Sequence, residues 1–460
     1  MTDLELLERD IADIGEVAAS LGLDSFPLHF EVCPPQILYT FGAYGGMPTR
    51  FSHWSFGKAF HRMKTHYDYD LSRIYELVIN SDPAYAFLLE GNSRAQNKLV
   101  VAHVFAHADF FKHNRAFERT NRAMLETMAQ SAERIRGYEF REGRERVESF
   151  LDAALSVQGQ VACGLPPEKP PGGRAEVERP PETPYDDLWS IGEEPPPPPP
   201  KKRPRGGEEG DLLLFLSRRA RDLEDWQRDV LEIVRGEMLY FWPQLSTKIM
   251  NEGWATRWHR RILRELDVPE EEAWEFARMT AGILQASPLR PNPYLLGMRV
   301  FEDLEARWEH PGGRDREELR LAGGEGLEKL FEVRETETDQ SFLRNYLTRE
   351  LVEELDLYLY RRVGDEWRIT ERDWEKVRDG LVDQLTNNGF PMVEVVDDDH
   401  GHRGELYLSH RYDGRPLDLR HLERTLSHLF SIWRRPVYLE TVLGDQPAVF
   451  RAEGEEVRRV

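Results

Sequence analysis

The chain has 460 residues, a formal net charge of −22, 31% charged side chains and two cysteines, Cys33 and Cys163. A chain this long folds as two to four domains with ample core, and the acidic balance excludes a general nucleic-acid binder, which needs a basic field. Two cysteines exclude a disulfide framework and a cysteine zinc site. The acidic start, with no apolar signal core, and the lack of any run of about 18 apolar residues point to a soluble cytoplasmic protein with no membrane span.

In chain order, residues 2–22 carry Leu4, Leu7, Ile11, Ile14, Val17 and Leu21 at helical spacing, which predicts an amphipathic helix. Residues 31–48, rich in glycine, proline and aromatics, read as an ordered loop. A helical region begins near residue 50 and holds His53, His61 and His66, which read as surface or hydrogen-bonding histidines more readily than as site residues. Residues 71–80 mix β-branched and helical signals and stop before Pro83.

The stretch from Lys98 to Asn114 then reads as a helix in which His103 and His107, four residues apart, share one apolar-flanked face. Two imidazoles at that spacing can grip one metal ion. A second long helix, about 116–156, follows with a solvated charged face.

Residues 165–210 change character. Pro166, Pro167, Pro170, Pro171, the six prolines at 195–200 and the basic run Lys201–Arg205 cannot form a packed core and read as an extended spacer. The apolar piece Tyr185–Ile191 is suited to fasten that spacer to the globular part. After Gly210 the helices resume. Glu237 and Tyr240 share a face of one helix, which Trp242-Pro243 is expected to break. The next helix, to about Leu266, puts Glu252 and His259 seven residues apart on one face. Further helices are expected at about 269–285 and 294–309, and Gly312, Gly313, Gly323 and Gly324 mark a boundary.

Beyond it, strand patterns at 356–360, 366–370, 392–396, 405–409, 436–442 and 448–451 surround helices at about 372–388 and 418–433. The order strand-strand-helix repeats, giving a helix-covered antiparallel sheet. Asp397–His402 in its hairpin reads as a solvated turn rather than a cation loop. The fold class is therefore α+β. The expected divisions are a mainly helical body in two segments, 1–164 and 211–330, joined by the proline-rich linker 165–210, and a small C-terminal α+β domain, 335–455.

Several stretches in order, Phe51–Lys58, Arg73–Asn80, His103–Phe111, Trp226–Asp229, Lys248–Ala255 and Asn292–Gly297, resemble the stage V sporulation protein R (SpoVR) family. The likeness covers about residues 25–310. It implies a cytoplasmic protein linked to spore cortex formation. Relatives in non-sporulating bacteria are described alongside a serine protein kinase and a protein with a von Willebrand-type domain, so these are the implied partners. The resemblance supplies no reaction.

The residues themselves suggest one. His103, His107 and Glu252 form a two-histidine, one-carboxylate set that fits a divalent metal, zinc first and non-haem iron second. Zinc peptidases with a histidine pair on one helix place a glutamate base after the first histidine, and here Val104 stands there. Proton handling is therefore assigned to His259, Glu237 or Tyr240, in that order. The Glu-x-x-His pairs of di-iron bundles do not occur. Two functions follow: a metal-dependent hydrolase acting on a peptide-like or cell-wall-precursor substrate, or a non-catalytic regulatory or assembly factor whose polar core is structural.

Overall fold

A computed structural model describes residues 2–68, 76–162, 210–286, 290–313, 321–363, 366–444 and 446–460. Cys163, the proline-rich stretch up to residue 209 with its Tyr185–Ile191 piece, and the start of the 71–80 stretch lie outside the described residues. The elements run α1 (Asp3–Ser20), β1 (Leu28–Cys33), α2 (Pro35–Ala43), α3 (Trp54–Asp68), β2 (Glu76–Ile79), β3 (Ala84–Leu89), α4 (Arg94–His113), α5 (Met124–Glu142) and α6 (Arg144–Ser156). Next come α7 (Leu212–Arg219), α8 (Asp225–Ser246), α9 (Lys248–Glu265), α10 (Glu270–Ile283), α11 (Pro293–Glu309), α12 (Gly326–Thr336), α13 (Asp339–Tyr346) and α14 (Arg349–Glu354). The rest are β4 (Leu359–Val363), β5 (Glu366–Glu371), α15 (Trp374–Leu385), β6 (Val393–His400), β7 (Glu405–His410), α16 (Leu419–Trp433), β8 (Val437–Leu443), β9 (Gln446–Glu453) and β10 (Glu456–Arg459). The α+β class read from the sequence is the class observed.

The chain forms two compact units. One comprises Met1–Leu155 and Glu232–Pro391; the other comprises Ser156–Leu231 and Met392–Val460. In the first, α4 and α9 pass through a large core cluster, among Val100, Val104, Phe110, Met250, Trp254 and Trp258. That cluster also takes Leu330, Val333, Phe342, Leu351, Val377 and Leu381 from α12 to α15. The glycine-rich stretch before residue 326 is thus followed by more core of the same unit. A three-stranded sheet, β1-β3-β2, with β1 parallel to β3, carries a second cluster around Leu38, Phe87, Met128 and Tyr240.

In the second unit the five strands run β10-β9-β8-β7-β6. The sheet is mixed rather than antiparallel throughout, because β7 and β8 are parallel. Parallel neighbours need a crossover, and α16 supplies it. Its buried stripe of Leu422, Leu426, Leu429, Ile432 and Trp433 sits at helical spacing. Trp433 Nε1 donates to the Gly404 carbonyl at 2.8 Å and its ring stacks on Phe215 of α7. β4 and β5 form a separate two-stranded sheet within the first unit. In the β6–β7 turn, Asp399 accepts the Gly404 backbone N–H and Asp397 accepts that of Asp399, so these carboxylates bond to their own turn.

Three local readings are corrected. Residues 31–48 are not loop alone: they include the end of β1 and the whole of α2, with Pro35 in the first turn of α2, where its missing N–H costs no helical bond. The helix expected over 116–156 is two helices, because Gly143 takes φ 90° between α5 and α6. Pro243 does not end its helix. It lies in the last turn of α8, where it removes a single backbone bond, and the break comes at Thr247, whose hydroxyl donates to the Pro243 carbonyl at 2.7 Å.

Candidate metal centre

α4 is started by a capping box. Ser93 Oγ accepts the Gln96 backbone N–H at 3.1 Å, and Gln96 Oε1 accepts that of Ser93 at 2.8 Å. The helix then runs buried from Lys98 to Phe111, apart from the partly buried Phe105, with His103 and His107 on one face. α9 is held at its start by Asp339, whose two oxygens accept the backbone N–H groups of Ile249 and Met250 at 2.7 and 2.8 Å. That arrangement satisfies first-turn donors which have no partner inside the helix.

α9 meets α11 backbone to backbone. A methyl on Gly253 would overlap the Gly297 main chain, and one on Gly297 would overlap the Ile249 carbonyl. Glycine is required at both places by this approach. Pairs of Arg257 with Glu305 and Arg260 with Glu302 lie between the same two helices. Glu252, the residue before the crossing glycine, is thereby fixed opposite the histidines.

Among the described residues, His103, His107 and Glu252 each offer one ligand atom, all within 4.8 Å of one another. His103 Nε2 and His107 Nε2 lie 3.7 and 3.6 Å from Glu252 Oε2. Those gaps are longer than good hydrogen bonds. They are close to the roughly 3.4 Å that two ligand bonds of about 2.1 Å subtend at a tetrahedral angle. The far nitrogens are engaged. His107 Nδ1–H donates to Asn251 Oδ1 at 2.9 Å, which leaves the Nε2 lone pair facing Glu252. His103 Nδ1 lies 3.0 Å from His259 Nδ1, so one ring donates to the other. His259 is fully buried and its Nε2 has no hydrogen-bond partner. Tyr294, at the start of α11, stacks 6.2 Å from His103. The histidines are almost sealed, whereas the Glu252 side chain keeps 19% of its surface exposed, so the trio meets solvent at the carboxylate.

The electrostatics favour a cation here. Burial, with the His103 ring adding to it, pushes His107 down to about 4. Burial followed by the His103 ring and Arg260 holds His259 well below the ordinary imidazole value. Burial alone would raise the Glu252 carboxyl, but His103 and His107 more than offset it and hold it below the usual range. At neutral pH His107 is therefore a neutral donor and Glu252 an anion. That donor set, with the Nδ1 positions already engaged, fits a divalent ion.

The other sequence candidates have their own partners. Glu237 accepts from Arg50 Nε at 2.8 Å, and burial raises its carboxyl against the pull of that guanidinium. Tyr240 donates to the Asn80 carbonyl at 3.2 Å. His53 faces Ser55 and Asp152. His61 contributes its carbonyl to Thr65. Among the described residues, the group that could hold a metal comprises none of these. Asn251, Tyr294 and Asp339 escape a reading by residue type. Asn251 and Tyr294 do lie inside the two stretches, Lys248–Ala255 and Asn292–Gly297, that carried the resemblance.

The sequence matches the family described as "SpoVR like protein" over residues 1–390 and "SpoVR-like C-terminal domain" over residues 391–444. The chain belongs to the SpoVR family. It is also 29% identical over 475 residues to the Escherichia coli (strain K12) protein named "Uncharacterized protein YcgB", covering 95% of this chain and 92% of that protein. No solved structure matches the chain. Among the described residues no helix is long and apolar enough to cross a membrane.

Proposed function

We propose that this SpoVR-family chain is a metal-dependent enzyme, with His103, His107 and Glu252 as ligands of one divalent ion, zinc first. The reaction is hydrolysis of a peptide-like or cell-wall-precursor substrate, in the cytoplasm, in support of spore cortex formation. One observation carries the reading: two imidazole nitrogens and one carboxylate oxygen converge at 3.6–3.7 Å while the far side of each imidazole is already engaged. A carboxylate largely withdrawn from water needs a positive partner, and a metal ion is one. A divalent ion bound there supplies Lewis-acid polarisation and lowers the pKa of water.

The chain's own residues then divide the work. Asn251 holds His107 in the tautomer that turns Nε2 toward Glu252, and His259 orients His103 from behind. His259 is a positioning residue in this scheme, because it contacts His103 and not the open side. The partly exposed edge of Glu252 is where substrate and protons exchange with solvent.

Elemental analysis of the protein purified without added metal tests this, beside His103→Ala, His107→Ala and Glu252→Ala. The wild type is expected to carry close to one ion per chain, and each variant far less with a lower melting temperature. A metal-free wild type would remove the basis of the reading.

A second reading has an observation of its own. Val104 occupies the position of a peptidase base, and Glu237 and Tyr240 are turned to Arg50 and Asn80. That none of these three positions places a base beside the trio favours a non-catalytic regulatory or assembly factor, working with a serine protein kinase and a von Willebrand-type protein. Metal-free protein whose stability does not change on adding zinc would favour it.

A further inference from the structure

We infer that a groove between α3 and α6 in the first unit is a docking site for a basic peptide segment of a partner protein, gripped through a lysine or arginine side chain. The groove stands apart from the histidine–glutamate trio in residues and in chemistry, and it does not depend on the metal reading.

The sequence already sorts α6 into two faces. Val147, Phe150, Leu151 and Ala154 are buried. Glu145, Glu148, Ser149 and Asp152, at spacings of three and four, share the other side. With Trp54 and Arg144 they line an open cavity of about 540 Å³. Trp54 is 56% exposed, so much of its ring face is open to a ligand.

The indole is nonetheless not loose. Its Nε1 donates to Asp152 Oδ1 at 2.7 Å. The same oxygen lies 3.1 Å from Nε2 of the buried His53, whose Nδ1 is 2.7 Å from Ser55 Oγ. Ring and carboxylate are thus set by a buried anchor before anything binds, which removes much of the ordering cost of association.

The charge in the groove is only partly compensated, by Arg144 and by the His53–Asp152 contact. Among the described residues neither Glu145 nor Glu148 has an ion-pair partner, and the lining holds three carboxylates and one guanidinium. An exposed indole face beside free carboxylates is the chemistry that recognises an ammonium or guanidinium group. A chain of net charge −22 also steers basic partners toward itself. The groove is open and not closed over, which suits a chain passing across it better than an engulfed small amine.

The test uses the full chain and a fluorescently labelled Gly-Arg-Gly-Arg-Gly peptide, read by anisotropy against the same peptide with citrulline for arginine. The arginine peptide is expected to bind, and the citrulline peptide to bind at least about tenfold more weakly. Trp54→Ala is expected to weaken binding about tenfold, and Trp54→Phe, which keeps a ring face, less than about threefold. Glu148→Gln should weaken it, while Glu271→Gln, an exposed acid on α10, should leave it unchanged. If Trp54→Ala does not fold, the contrast between Trp54→Phe, Glu148→Gln and Glu271→Gln carries the test. The proposal is overturned by wild-type affinity in Trp54→Ala, or by equal losses in Glu148→Gln and Glu271→Gln, which is diffuse attraction to an acidic surface. Spermidine binding more tightly than the peptide, which would make this a polyamine site, overturns it too.

Discussion

Asp109 and Glu252 are carboxylates on the packed helices α4 and α9, yet their surroundings are opposite. Asp109 is fully buried and saturated. Arg334 Nη1 reaches both of its oxygens at 2.9 Å, Trp254 Nε1 donates at 3.0 Å and the Asp24 backbone N–H at 2.9 Å. Glu252 faces two imidazole nitrogens at distances too long for hydrogen bonds. A buried charge that serves the fold collects donors until none of its lone pairs is idle. A ligand set does the reverse and brings acceptors together around a space they cannot satisfy among themselves. The contrast is sharper because Asp109 lies only two residues beyond His107.

The largest expected effect tests the structural half of this contrast. Arg334→Ala leaves Asp109 buried without its main partner and should cost about 3–5 kcal/mol in denaturant unfolding. Glu252→Gln in metal-free protein should cost less than about 1 kcal/mol, because no tight bond is lost. Equal losses in the two variants would erase the distinction.

Next in size is a pH effect in metal-free protein. His107, pushed down to about 4 from 6.5, stays neutral in the folded state while the unfolded chain takes up a proton. The unfolded state therefore binds more protons between those values, and folding stability rises with pH across that window by about 3 kcal/mol. Asp339 runs the other way. Burial pushes it up to about 7 from 3.8, so its contribution is present below the lower value and fades as pH rises through the upper one. The measurement is accordingly the difference between wild type and His107→Gln across that range. A difference that does not vary with pH would show that His107 is not held neutral by burial.

A geometric test is smaller. Gly297→Ala must push α11 from the Ile249 carbonyl, with an expected loss of about 1–3 kcal/mol and a measurable fall in metal content, since Glu252 rides on α9. Unchanged metal content alongside the stability loss would separate the crossing from the site. The smallest effect is Asn251→Ala. It should lower metal affinity about 10- to 100-fold by releasing the His107 ring, with little change in folding, as read by competition with a chelating dye.

Much of the fold is legible in the sequence because helical spacing is a local signal. The helix bearing His103 and His107, the helix bearing Glu252 and the Leu422–Leu429 stripe of α16 all declare themselves that way. What spacing does not give is the direction in which a face points once the helix packs. Glu237 and Tyr240 do share a helical face, but α8 turns them to Arg50 and Asn80. Nor does a strand pattern say which strands pair. β4 and β5 read like the strands after them, yet they form a two-stranded sheet of their own, whereas β7 and β8 meet in parallel through α16. Asn251 and Asp339 were out of reach for another reason. An amide or acid acting on a neighbouring element is recognised only when that element's position is known.

At the crossing of α9 and α11, main chain touches main chain at Gly253 and Gly297. Most helix pairs are spaced by the side chains between them, so each change of core volume shifts one helix against the other. Here nothing compressible stands between the two backbones beside Glu252. The placement of that carboxylate is therefore insulated from changes of side-chain volume in the surrounding core, provided the two glycines stay.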